Sequence, residues 1–410
     1  MRIRRLGLFV LFPLIFSFLP KVSFSQMIVG QYEDEAPLRT WNSFGLQAAP
    51  SLAMGETQFT TATDSTVSLS NPALLTALPR ITFTLNSSIN SASLFKYSAI
   101  NTGPFYSEGN SILSVLSFDF AGVSMRLKNW TFALSMALLE SYARPSAYVS
   151  YSTYTFTLEQ SGNLKNVNFS VARKVFNNLS VGIGLNYAYG YLEKEYEEEF
   201  ITPSYTLSDR KYHEFQSFYV NGGLVFDVTK SLKVAAVFRT PFVKKSDSES
   251  LYRFYSPVSD TDIRTEASES SEYKQPFVAG LGLSFQYSPK LKATSDFTFY
   301  RWSRYSIIYF GEEHEQERNF KDVIKIGAGI EYMTSMRLFG AGINVPLRAG
   351  FSYDPQPMVE PNSSYTYFTF GTGLHWGKLS FDAGMLLGEE RGSGNSLSAK
   401  KVTISLSFRM

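Results

Sequence analysis

Cysteine is absent from the chain, histidine occurs three times, and no long unbroken apolar run follows the first few dozen residues. Without a thiol there is no disulfide framework and no cysteine to carry a lipid anchor. An exported chain of this kind must then draw its stability from a large core or from a membrane. A membrane-crossing helix needs about 20 mostly apolar residues, and none is available beyond the leader. The net charge of +2 gives no support to nucleic-acid binding. His213, His314 and His375 fall in or beside different connections, so no metal-ligand spacing exists. None of them accompanies a Ser or Asp in a recognisable catalytic neighbourhood. No enzyme, cofactor or metal site is expected.

The leader itself is informative. Arg2, Arg4 and Arg5 precede an apolar stretch from Leu6 to Leu19, and Ser23 and Ser25 supply small residues before Gln26. That is the form of a secretory signal, too short and wrongly flanked for a retained span, so residues 1–25 are expected to direct export. The acidic groups Glu193, Glu195, Glu197 to Glu199 and Glu312, Glu313, Glu315, Glu317 read as solvated loops.

What the chain has in quantity is aromatic side chains, 35 Phe and 25 Tyr, arranged with a period of two. Val402, Ile404, Leu406, Phe408 and Met410 alternate with Thr403, Ser405, Ser407 and Arg409. Leu379, Phe381, Ala383, Met385 and Leu387 share a face against Ser380, Asp382 and Gly384. Such alternation marks strands with one apolar face. About fourteen are legible, near 80–90, 112–126, 130–138, 165–175, 179–191, 214–227, 232–241, 273–287, 291–303, 321–332, 342–353, 365–376, 379–387 and 400–410. Their connections alternate between short (127–129, 176–178, 228–231, 288–290, 333–341, 377–378) and long and polar (91–111, 139–164, 192–213, 242–272, 304–320, 354–364, 388–399).

Short periplasmic turns, long extracellular loops and an even strand count are the signature of an antiparallel barrel in a Gram-negative outer membrane. Both termini are then expected in the periplasm. Lys233, Arg239, Asp296, Lys325, Glu331, Arg348, Asp382 and Arg409 fall on the non-apolar face, where a lumen spares them the roughly 2–4 kcal/mol that Arg or Lys costs at mid-membrane. Tyr187, Tyr189, Tyr191, Phe297, Phe299 and Trp376 suit interfacial girdles. The alternation slips around Ala121-Gly122, which predicts a bulge.

Residues 26–79 do not alternate, and composition leaves two readings open, a periplasmic tail or a plug in the lumen. "FGLQAAPSLAMGETQFTTATDSTVSLSNPALLTALP" resembles the N-terminal plug of the outer-membrane long-chain fatty acid transporter family, the FadL type with its aromatic-hydrocarbon relatives. Gly55 and the triplet Asn71, Pro72 and Ala73 fall at its plug positions. "LKVAAVFRTPFVKK", "PKLKATSDFTFYRWSRY", "IKIGAGIEY" and "VPLRAGFSYDPQPM" resemble later strands of that family, in order. The chain departs in having Leu-Leu after Asn-Pro-Ala and in ending Phe408-Arg409-Met410.

The resemblance implies a barrel over 80–410 plugged by its N-terminal segment. A hydrophobic small molecule, a fatty acid or hydrocarbon, would pass after the plug shifts, with a strand irregularity as a sideways exit. A fatty-acid carboxylate calls for an inward cation, and parity offers Arg348 and Arg239. The alternative is that both merely pair with Asp296, Glu331 or Asp382. Expected partners are the transported molecule, outer-membrane lipid and the barrel-assembly machinery, with the barrel as a monomer. Two other functions compete: a protein-handling barrel resembling the shuttles of type IX secretion, and a surface adhesin working through 192–213 and 242–272.

Overall fold

The computed structural model describes residues 44–61, 64–96, 110–142, 147–151, 154–201, 204–313, 320–338, 341–357, 359, 362–392 and 398–410. The expected signal peptide, residues 26–43, His314, Glu315 and Glu317 lie outside them. No helix among the described residues is long and apolar enough to cross a membrane. The chain instead forms one antiparallel sheet that closes on itself through fourteen wall strands.

In chain order these are β1 Ile81–Lys96, β2 Asn110–Leu127, β3 Trp130–Ser141, β4 Tyr154–Phe176, β5 Leu179–Ile201, β6 Ser204–Asp227 and β7 Leu232–Arg239. They continue as β8 Val278–Ser288, β9 Leu291–Tyr300, β10 Val323–Leu338, β11 Ala341–Pro355, β12 Ser364–Trp376, β13 Leu379–Arg391 and β14 Ser398–Arg409. Each pairs with its neighbours, and β1 meets β14 with Leu85 opposite Leu406, which leaves no unpaired edge around the wall. Closure is what allows a sheet to sit in lipid, because every backbone polar group finds a partner.

The period of two sets the faces. On β13, Leu379 and Phe381 are 44% and 43% exposed while Ser380 and Asp382 are 2% and 4% exposed. The same split runs round the barrel: Leu134, Phe297, Ile330, Phe370 and Leu406 point outward, and Ser135, Asp296, Asn168 and Thr369 point inward. This is an inside-out protein, with its apolar belt facing the membrane and its polar side chains buried in the middle.

Two expectations need correction. Residues 192–201, 204–213, 242–256 and 261–272 are strands, not loops. β5 and β6 run 23 and 24 residues, well over the roughly 9–11 that cross a membrane. A hairpin of Phe242–Ser256 with Thr261–Gln275 continues β7 and β8 outward and pairs with β6, for example Glu249 with Tyr212. Beyond the lipid no apolar face is required, so the alternation disappears while the ladder of backbone hydrogen bonds goes on. The acidic residues after Leu192 therefore sit on a projecting sheet, where Glu193 accepts a 2.9 Å hydrogen bond from Arg210. At the hairpin tip Arg253 and Arg264 hold the Asp262 carboxyl at about 2. The bulge is also displaced from Ala121-Gly122: Asn86 lies opposite Phe120 and Ser87 opposite Phe118, so the extra residue is Asp119.

Candidate functional site

Residues 44–61 and 64–78 occupy the lumen. Two single-turn helices, α1 Ala49–Leu52 and α2 Val67–Ser70, are followed by a 3-10 turn, Pro72–Ala77. Elements this short leave most backbone groups without internal partners, so the inward side chains of the wall supply them. Phe44 N donates to the Tyr300 hydroxyl at 2.8 Å, Ala49 N to Ser405 Oγ at 2.8 Å and Gly55 N to Thr369 Oγ1 at 2.8 Å. Gln58 N and Phe59 N both donate to Asp296 Oδ2, at 2.6 and 3.0 Å. On the opposite side Asn166, Asn168, Asn186 and Asn221 form an inward amide chain that ends with Asn221 Nδ2 donating to Ser68 O at 3.0 Å. Asp64, deep in the plug, has its carboxyl raised by burial against the opposing hydrogen bonds from Thr66.

The positions singled out in the plug have distinct parts in this fit. Asn71 accepts from Ala73 N at 3.2 Å, capping the 3-10 turn, and its Nδ2 donates to Phe59 O at 2.7 Å. Pro72 opens that turn, where the missing N–H is no loss. Pro72 and Ala73 lie so close to Gly182 of β5 that a Cβ there would stand 2.5 Å from Ala73 N. Gly55 has φ +69°, and a Cβ on it would meet Ala328 O at 2.2 Å and Phe351 O at 2.4 Å. The plug is thus seated backbone to backbone against the wall.

Charged side chains tie the plug and the lumen together. Lys325 of β10 lies 2.9 Å from Glu56 of the plug and 3.2 Å from Asp354 at the outer end of β11. Arg348 forms ion pairs of 2.7 Å with both Glu331 and Asp382; Lys292 joins Glu331 at 2.9 Å and His375 approaches Asp382 at 3.1 Å. Arg348 is therefore held in a closed network.

Arg239 is placed differently. It lines a narrow pocket on the outer side of the plug, walled by Phe44, Leu69, Leu139, Tyr219, Phe242 and Trp302. The cavity itself is small, about 50 Å³. The carboxylates at this pocket are already engaged, Asp354 with Lys325 and Glu140 with Lys244 at 3.7 Å. Arg239 makes no ion-pair contact with a carboxylate among the described residues and its Nε has no hydrogen-bond partner, with Glu140 acting on it only across the pocket. Its guanidinium carbon lies 5.3 Å from the Phe242 ring, which stacks on Tyr219 at 4.7 Å. Above the pocket, Tyr142, Phe215 and Tyr273 form an aromatic cap with the Lys244 ammonium 5.2, 4.7 and 5.4 Å from their rings. His213 sits at that level with Nδ1 2.7 Å from Ser248 Oγ. His375 lies in the other network, toward the short turns, and no group of three His, Asp or Glu that could hold a metal occurs among the described residues.

Sequence reasoning named Lys325 as a lumenal charge but missed its plug partner Glu56, because nothing in a non-alternating segment tells which carboxylate faces the wall. It also missed Lys244, which lies where alternation no longer marks the inward face.

Known structures of the same shape put this arrangement in context. A FadL homologue of Pseudomonas aeruginosa superposes with a TM-score of 0.63 at 14% identity, covering 89% of this chain and 99% of its own. The toluene transporter TodX of P. putida gives 0.63 at 14% identity, covering 90% and 99%. The toluene transporter TbuX of Ralstonia pickettii gives 0.60 at 16%, also covering 90% and 99%. At such identities the likeness is one of fold, and the resemblance to FadL-type barrels holds at that level. No curated protein matches the chain. The family model BamG matches residues 47–406, from the plug to the last strand. The chain belongs to the BamG family.

Proposed function

We propose that this barrel passes a hydrophobic small molecule with an anionic head, a long-chain fatty acid being the fitting case, across the outer membrane. The observation that carries this reading is Arg239, a cation with no carboxylate in ion-pair contact among the described residues, beside the rings of Phe44, Tyr219, Phe242 and Trp302 in a pocket outside a tightly seated plug. A guanidinium can take a carboxylate through two parallel hydrogen bonds, and the surrounding rings suit an alkyl chain. An aromatic hydrocarbon without a head group would use the same rings and leave Arg239 on Phe242. The ligand would reach the pocket from the long-strand side, facing the cell exterior, with the short turns in the periplasm. Passage then requires the plug to move. Lys325 connects the two events, since it bridges Asp354 at the pocket to Glu56 on the plug.

The test is lipid extraction and mass spectrometry on protein purified from outer membranes. Fatty acid recovered from the wild type and from Arg348→Lys, but lost from Arg239→Ala, supports the reading. Recovery that is indifferent to Arg239 refutes the carboxylate assignment.

A second reading is favoured by the family match itself. A BamG-family barrel serving the barrel-assembly machinery would be recovered from membranes with a stable protein partner, and would carry no extractable ligand. Such an outcome would replace transport as the function.

A further inference from the structure

We infer that the rim of short turns is a binding collar for the phosphate headgroups of anionic phospholipids in the leaflet around it. The inference does not depend on what crosses the lumen. Its basis is a pattern repeated from turn to turn. Lys128, between β2 and β3, is flanked by Leu127 and Trp130, which are 46% and 43% exposed, and Arg173 lies 5.0 Å from the Trp130 ring. Lys174 precedes Phe176, 64% exposed, at the next turn. Lys230 follows Val228, Lys290 follows Tyr287 (76% exposed), and Lys378 stands between Trp376 (59%) and Leu379. Each of these five turns thus puts an apolar group in the interface and an exposed cation just beyond it.

That is the placement at which a lysine stem lies along hydrocarbon while its ammonium reaches the phosphates. Basic residues near a surface of anionic lipid are attracted to it, and charge-assisted bonds to phosphate are short and strong. Opposing charge is scarce here. Among the described residues Asp227 is the one exposed side-chain carboxylate at this rim, and Lys233 lies 3.6 Å from it. The other end of the barrel is the reverse: Glu195, Glu197, Glu199, Asp247 and Glu249 are exposed. Three of its arginines, Arg210, Arg253 and Arg264, are tied to Glu193 and Asp262, while Arg301, Arg304 and Arg391 are exposed among these acidic groups. A folded protein partner would touch one arc of the rim. Cations between β2 and β3, β4 and β5, β6 and β7, β8 and β9, and β12 and β13 go round it, as annular lipid does.

The experiment uses the full barrel in nanodiscs of mixed phosphatidylcholine and phosphatidylglycerol, with retained lipids counted by native mass spectrometry. Two variants are compared: a rim variant, Lys128→Gln with Lys230→Gln, Lys290→Gln and Lys378→Gln, and an outer-end control, Arg210→Gln with Arg253→Gln and Arg264→Gln. Wild type and control should retain phosphatidylglycerol over phosphatidylcholine by roughly tenfold or more. The rim variant, its fold checked by heat-modifiable gel mobility, should lose that preference, as should wild type in high salt. Inorganic phosphate at matched concentration should leave the wild-type preference in place, marking the headgroup in its leaflet as the ligand. Equal retention of both lipids by wild type overturns the proposal, as does an equal loss in the control. A rim variant that keeps its lipid preference but releases a co-purified acidic protein overturns it in favour of a protein partner.

Discussion

Asn71 shows how much of the plug depends on single side chains. It caps the 3-10 turn through its Oδ1 and holds Phe59 O through its Nδ2, both in a buried setting. Asn71→Ala removes the cap and leaves a buried carbonyl unpaired, so the seated plug should lose about 1–3 kcal/mol. Hydrogen exchange of the 73–77 amides, faster in the variant than in wild type with the strand amides unchanged, would confirm this. Arg348 presents the opposite case to Arg239. Its removal strands Glu331 and Asp382 with only Lys292 and His375 to compensate. Breaking a buried pair of this kind costs about 3–5 kcal/mol, and the remaining partners place Arg348→Ala near the lower figure. Thermal unfolding in detergent should show the loss, with partial recovery when Asp382→Asn is added. Arg239→Ala should leave the melting curve nearly unmoved, since it breaks no ion pair.

At the scale of elements, the plug and the wall strands are fitted by absence of side chains as much as by contacts. Gly350 of β11 lies where a Cβ would meet Gly55 N at 2.1 Å and Met54 C at 2.4 Å, and both are backbone atoms that cannot swing aside. Gly350→Ala should therefore lift the plug off β10 and β11 and raise ion conductance of the reconstituted barrel. Gly342→Ala, at a site with nothing within 4 Å, should conduct like wild type. Equal conductance of the two variants would mean that the plug is seated elsewhere. The projecting strands follow another logic. β5 and β6 keep their ladder far past the lipid although their outward residues turn acidic, because backbone pairing does not depend on which face is apolar.

For the molecule as a whole, the inside-out arrangement makes the plug replaceable in one respect and not in another. The wall closes through β1 and β14 and is held by its own ladders and its lipid-facing belt. Several of its inward polar groups, however, among them Asp296, Thr369, Ser405 and Lys325, take partners from the plug. Deleting residues 44–78 should leave a barrel that still inserts and shows a heat-modifiable gel shift. It should conduct as an open pore, because a polar lumen fills with water once its occupant is gone. A deletion protein that inserts yet stays electrically silent would show that the outer hairpin and aromatic cap close the channel unaided.

The strand count, the facing of the wall strands and the positions of the short turns were legible in the sequence. A membrane forces every spanning strand to show one apolar face, and that constraint writes itself as a period of two. Val402 to Met410 and Leu379 to Leu387 could have been assigned to their faces from spacing alone. The lumenal placement of Asp296, Lys325, Arg348 and Asp382 followed from the same parity. Where lipid exerts no demand, the signal stopped: 192–213 and 242–272 read as loops, and Lys244 passed unnoticed. Arg239 and Arg348 were indistinguishable by pattern, since both are inward cations of a barrel strand. Only the closed sheet decided that Glu331 and Asp382 come round to Arg348, while Arg239 meets Phe242 and an open pocket. Ion pairing is fixed by which strands stand next to each other in space and at what height, and a period of two carries neither.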